Sequence, residues 1–90
     1  MMKGLNAIIE NLRDLSLSEI YEFWNNQKDI FIIKHDGESE NNKFTIIIVS
    51  SESKFESIRW YSEDIYTGLE GAFKGYRVML EKHDEENLPS

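Results

Sequence analysis

The sequence contains no cysteine, few basic residues and no long apolar run, and each lack removes a class of function. Without cysteine there is no disulfide, no thiolate nucleophile and no Cys-ligated zinc. Lys and Arg number 10 against 17 Asp and Glu, for a net charge of −7. Docking on nucleic acid or anionic lipid needs clustered Lys and Arg, so this balance opposes both. No apolar stretch approaches bilayer length, and the opening Met1-Met2-Lys3-Gly4-Leu5-Asn6 lacks an apolar block of secretory length. The expectation is a soluble cytoplasmic protein with no membrane and no direct nucleic-acid partner.

What is present is enough for one core. Ninety residues bury a single core without staples. The expected domain covers residues 1–83, followed by a frayed acidic tail over 84–90. Its centre is the stretch from Asp29 to Ser51. Two β-rich runs, Ile30-Phe31-Ile32-Ile33 and Phe44-Thr45-Ile46-Ile47-Ile48-Val49, flank the polar segment from His35 to Asn42. β-branched and aromatic side chains fit a pleated surface, and Gly, Asn, Asp and Ser reverse a chain. The pattern predicts a hairpin with a long loop.

Before the hairpin, Leu5, Ile8, Ile9, Leu12 and Leu15 share one side of a helix predicted over about Lys3 to Leu15. Ser16-Leu17-Ser18-Glu19 is a capping box, with Leu15 and Ile20 as its hydrophobic staple. A second helix then carries Leu17, Ile20, Phe23 and Trp24 inward and ends near Asn25-Asn26. After the hairpin, Phe55 to Tyr61 reads as a third strand, with Ile58 and Trp60 on one face and Arg59 and Tyr61 on the other. Ser62 is the expected N-cap of a third helix from Glu63 to about Lys82, with acids where the helix dipole favours them. Its stripe is Ile65, Leu69, Ala72, Tyr76 and Leu80, flanked by Phe73 and Met79. Gly68, Gly71 and Gly75 cost it about 1 kcal/mol each relative to Ala, so a break near Gly75 and a strand over Tyr76–Leu80 is the competing reading. At spacings of three and four these glycines also let another backbone approach, and packing within the chain is the favoured use.

The fold class is therefore α+β: two short N-terminal helices, a three-stranded antiparallel β-meander and a C-terminal helix packed on the sheet (ααβββα). The αβββα part of this order resembles, in topology alone, the double-stranded-RNA-binding domain. That family reads phosphates with lysines at the start of its last helix, where this chain has Ser62-Glu63-Asp64, acids that repel phosphate.

Catalytic patterns are scarce. The hairpin acids around His35-Asp36 do not follow calcium-loop spacing, and His83 has no second histidine one turn along. No serine sits in a nucleophile elbow, and the glycine series lacks a P-loop lysine. The reading is therefore not an enzyme, with no cofactor and no metal.

Both faces of the strands are apolar, which suits a sheet covered on both sides or one side left for a partner, including a second copy. Tyr, Trp and Arg are enriched at interface hot spots. The sequence points to a small acidic protein-binding domain, an inhibitor or immunity-type factor that occupies a basic site on a partner macromolecule. Its candidate contacts are Trp60, Tyr61, Glu63, Asp64 and Tyr66, with carboxylates for steering and aromatics for anchoring. The alternative is a small-ligand binder or enzyme with a pocket between the sheet and the C-terminal helix, lined by Tyr66, Tyr76 and a carboxylate.

Overall fold

The computed structural model describes residues 2–38, 40–52 and 55–86. Helix α1 spans Met2–Asn11, α2 Leu17–Asn25 and α3 Ile65–Glu86, and strands β1, β2 and β3 span Ile30–His35, Phe44–Val49 and Ile58–Ser62. The sheet order is β1-β2-β3, antiparallel throughout, so the ααβββα arrangement is as the sequence predicts.

The first helix is shorter than expected. α1 ends at Asn11, and Leu12–Asp14 tightens into a 3-10 turn closed by the Leu15 amide donating to the Leu12 carbonyl at 3.2 Å. That tightening frees Ser16 to take extended backbone (φ −76°, ψ 161°) and cap α2. The capping box forms as the spacing requires: Glu19 N donates to Ser16 Oγ at 3.2 Å, and Ser16 N donates to Glu19 Oε1 at 3.1 Å. Ile20 and Trp24 are buried, but Leu17 is 39 % exposed, a correction to its expected inward place. It sits at the first helical position, at the end of the helix rather than over the core that Ile20 and Trp24 enter.

Strand β1 runs beside β2 with Phe31 opposite Ile48 and Ile33 opposite Ile46. Strand β3 adds Trp60 opposite Ile46 and Ile58 opposite Ile48. These side chains form the inner face; α3 and α2 pack on it, and α1 lies on the same side, packed against α3. Trp24 of α2 stacks on Phe31 with ring centroids 4.7 Å apart, and Phe73 and Tyr76 of α3 complete the aromatic cluster. Leu69, Ala72 and Leu80 join Leu5, Leu12, Ile20, Ile46, Ile48 and Ile58 in the same core.

Helix α3 is continuous through Gly75, so the break and the strand over Tyr76–Leu80 do not occur. It also extends past Lys82 to Glu86; residues 87–90 of the expected tail lie outside the described residues. Ile65 is only half-buried, and Met79 at the stripe's margin is exposed. The glycines face the sheet. A Cβ on Gly68 would stand 3.1 Å from Ser62 Cβ, and one on Gly71 would overlap the Trp60 indole, with Cζ2 at 2.6 Å. The helix thus approaches the sheet more closely there than alanine allows.

Candidate functional site

The five residues singled out around the start of α3 divide between structural duty and open surface. Strand β3 continues through Ser62, which pairs with Phe44, so Ser62 is not the helix cap. The N-cap is Asp64, two residues later than expected, and α3 starts at Ile65. Asp64 Oδ2 accepts from the Thr67 amide at 2.9 Å and from Thr67 Oγ1 at 3.0 Å. Its carbonyl accepts from Gly68 N at 3.0 Å, the first turn of the helix. These bonds, the Thr67 amide first, hold the Asp64 carboxyl below its ordinary pKa, and Arg13 at 3.8 Å adds to the shift. Ser62 serves the corner by donating to the Asp64 carbonyl at 2.8 Å and accepting from the Asp64 amide at 3.2 Å.

Tyr66 is also engaged: its hydroxyl donates to the Leu15 carbonyl at 2.7 Å and ties α3 to the turn before α2. Trp60 and Tyr61 point to opposite sides of the sheet. Trp60 lies on the inner side against Gly71 and stays 42 % exposed, because β3 is an edge. Tyr61 stands on the outer face at 56 % exposed. Glu63 is exposed at the corner and lines a polar concavity of about 290 Å³ with Glu40 and Lys43. The five do not form one patch. Tyr61 and Glu63 are the two most available to a partner.

The larger open surface is the outer face of the sheet. Its rows are Ile30 beside Val49, Ile32 beside Ile47 and Arg59, and Lys34 beside Thr45 and Tyr61. Ile30 and Ile32 are 52 % and 42 % exposed. Four β-branched side chains form an apolar block, and Lys34, Arg59 and Tyr61 flank it. None of the outward strand positions carries a carboxylate, although acids outnumber bases in the chain.

The pocket expected between sheet and C-terminal helix takes another form. Tyr76 is buried and donates to Asp29 Oδ2 at 2.5 Å; Asp29 Oδ1 also accepts from Ser51 N at 3.1 Å. This links α3 to both strands at the open end of the β1–β2 hairpin, and burial followed by the Asp29 bond raises the Tyr76 pKa above its ordinary value. Tyr76 and Asp29 line a concavity of about 200 Å³ with Leu80 and Glu52, and Tyr66 is not part of its lining. An apolar groove of about 500 Å³ does run along the outer side of α3 and the β3 edge, bordered by Trp60, Gly71, Gly75, Val78 and Met79. Among the described residues, no three His, Asp or Glu side chains converge as a metal ion needs.

Sequence reasoning missed the Tyr76–Asp29 tie, which joins residues far apart in the chain and has no local signature. It also missed that the polar strand residues Lys34, Thr45 and Arg59 share one face, which only the strand register reveals. No protein-family model, curated protein or solved structure matches the chain.

Proposed function

We propose that this is a small, non-enzymatic protein-binding domain that docks through the outer face of its sheet. One observation carries the reading: Ile30, Ile32 and Tyr61 stand exposed beside Ile47 and Val49, with every helix on the opposite face. Contiguous apolar surface with a polar rim is the anatomy of a protein interface. The carboxylates lie off this face, with Asp29 next to Ile30 and Glu63 two positions beyond Tyr61. Such a layout suits an inhibitor or immunity-type factor: rim carboxylates steer a basic partner, and the apolar block with Tyr61 anchors it. Lys34 and Arg59 call for a carboxylate within the partner's otherwise basic surface.

Ile30→Lys with Ile32→Lys tests this, since both positions are exposed and the fold should tolerate the change. Immobilised wild type should retain a partner from native-host extract that the double variant loses and a Glu19→Gln control keeps. The same proteins retained on all three baits would place the interface elsewhere. The small-ligand alternative rests on the groove beside α3, but that groove is open along its length. An open apolar groove fits a macromolecular surface better than an enclosed small molecule.

A further inference from the structure

We propose that two copies of this chain pair antiparallel through the free edge of β3, giving one six-stranded sheet with the two α3 helices side by side. This goes beyond the docking face, which stays open on the outer side of the joined sheet. Among the described residues, β3 pairs only with β2, so its other edge presents unpaired backbone groups. Edges that must stay single are blunted by charged residues, proline, bulges or a covering element; Ile58-Arg59-Trp60-Tyr61-Ser62 has no proline and no bulge, and Arg59 is its single charge. The β1 edge differs, because Tyr21 and Trp24 pack on Phe31 and screen its inner side.

Charge complementarity selects the second copy as occupant. A two-fold pairing must match residues of like facing, so it centres on one residue of the strand. Centred on Trp60, it pairs all five residues and sets Arg59 opposite Tyr61 of the second copy, with that copy's Glu63 on one diagonal and its Arg59 on the other. Long side chains reach across such diagonals, and a guanidinium is attracted to a tyrosine face. The contact occurs twice by symmetry. Centring on Arg59 would instead set two guanidinium groups against each other.

The helix layer agrees with that centre. Gly68, Gly71 and Gly75 sit over Ser62, Trp60 and Ile58, and Gly68 also faces Ile46 of β2, so α3 runs antiparallel to β3 over the β2–β3 pair, set back from the free edge far enough for a second helix to lie beside it. An axis through Trp60 therefore passes near Gly71 and turns the two α3 grooves toward each other. Exposed Val78, Met79 and Trp60 are then covered, and Lys74, which pairs with Glu70 of its own helix at 3.0 Å, comes level with Gly68 of the second copy and near that copy's Glu70. Five strand residues span about 17 Å, and the sheet and helix layers together are about 20 Å deep. Those dimensions give about 340 Å² per copy and roughly 700 Å² in total, below the standard size for specific association, so the dimer belongs in the upper micromolar range.

Sedimentation equilibrium from low to high micromolar concentration tests the pairing. Wild type should show a concentration-dependent dimer, and Arg59→Glu should weaken it about tenfold. Combining Arg59→Glu with Glu63→Arg should restore it, and Lys74→Glu, on the other layer, should weaken it again. A wild type that stays monomeric to high micromolar concentration overturns the proposal. So does a dimer indifferent to Arg59→Glu and Lys74→Glu but lost in Ile30→Lys with Ile32→Lys, which would assign association to the outer face. Failure of the charge swap to restore a dimer lost in Arg59→Glu overturns the register.

Discussion

Alanine at each of the three α3 glycines should change stability with opposite signs, because each faces a different neighbour. Helix propensity alone favours Gly→Ala by about 1 kcal/mol at any of them. At Gly75 the new methyl would stand 3.8 Å from Ile58 Cγ2, an ordinary contact, so Gly75→Ala should stabilise the monomer by about 1 kcal/mol. At Gly71 it would overlap the Trp60 indole, with Cζ2 at 2.6 Å and two nearer atoms. The ring must pivot away from the helix. Trp60 is 42 % exposed, so of roughly 250 Å² for a fully buried indole about 140 Å² is hidden. Losing all of it would cost about 3.5 kcal/mol at 25 cal/mol per Å². A pivot that keeps the contact with Val78 and Met79 loses about half.

Setting that loss against the propensity gain, Gly71→Ala should destabilise by about 1 kcal/mol. Gly68→Ala meets Ser62 Cβ at 3.1 Å and Ile46 Cγ1 at 3.3 Å, both held by the sheet, and should also destabilise. Urea titrations at low protein concentration give the order directly, with Gly71→Ala and Gly75→Ala differing by about 2 kcal/mol. For a domain of this size, 1 kcal/mol moves the melting temperature by about 4–8 °C. Equal stabilisation at Gly71 and Gly75 would refute the packing of Trp60 across Gly71.

Three further outcomes follow from the caps and the buried tyrosine. Ser16→Ala should lower stability by about 1 kcal/mol in a denaturant titration, and Ser18→Ala, which caps nothing, should leave it almost unchanged. The folded pKa of Asp64 is depressed, so its contribution is present above the unfolded value near 3.9 and is lost as pH falls through the folded one. Asp64→Asn should flatten that acid limb of stability against pH. Tyr76 has a raised folded pKa, so its contribution is full below about 10 and declines as pH rises beyond that. Tyr76→Phe should cost about 1.5 kcal/mol at neutral pH and remove that alkaline decline, measured by melting temperature across the range.

The parts of the fold that were legible rest on local rules. Ser16 and Glu19 satisfy each other's backbone partners within four residues, so the start of α2 needs no tertiary information. The hairpin is equally local. The start of α3 was not, because Ser62 and Asp64 can both cap. The choice falls to Asp64 because Ser62 is held in β3 opposite Phe44, a long-range pairing the sequence does not print. Tyr66 is illegible for the same reason: its hydroxyl looks free until Leu15 supplies a carbonyl 51 positions away. With isoleucine on both faces of β1 and β2, alternation alone could not say which face the helices cover.

Gly75 separates packing within the chain from packing between chains. Gly68 and Gly71 are required by close neighbours inside the monomer, so their propensity cost is offset where it arises. Gly75 is not: its nearest neighbour leaves room for a methyl, yet the position carries the least helix-favouring residue after proline. It borders the groove beside Trp60, Val78 and Met79, which paired α3 helices would close. A methyl that fits the monomer should then hold the second helix off. Gly75→Ala should therefore raise the urea midpoint at low concentration while weakening self-association in sedimentation. If it strengthens both, α3 of the second copy does not approach this groove, and the pairing would have to rest on the β3 edge alone.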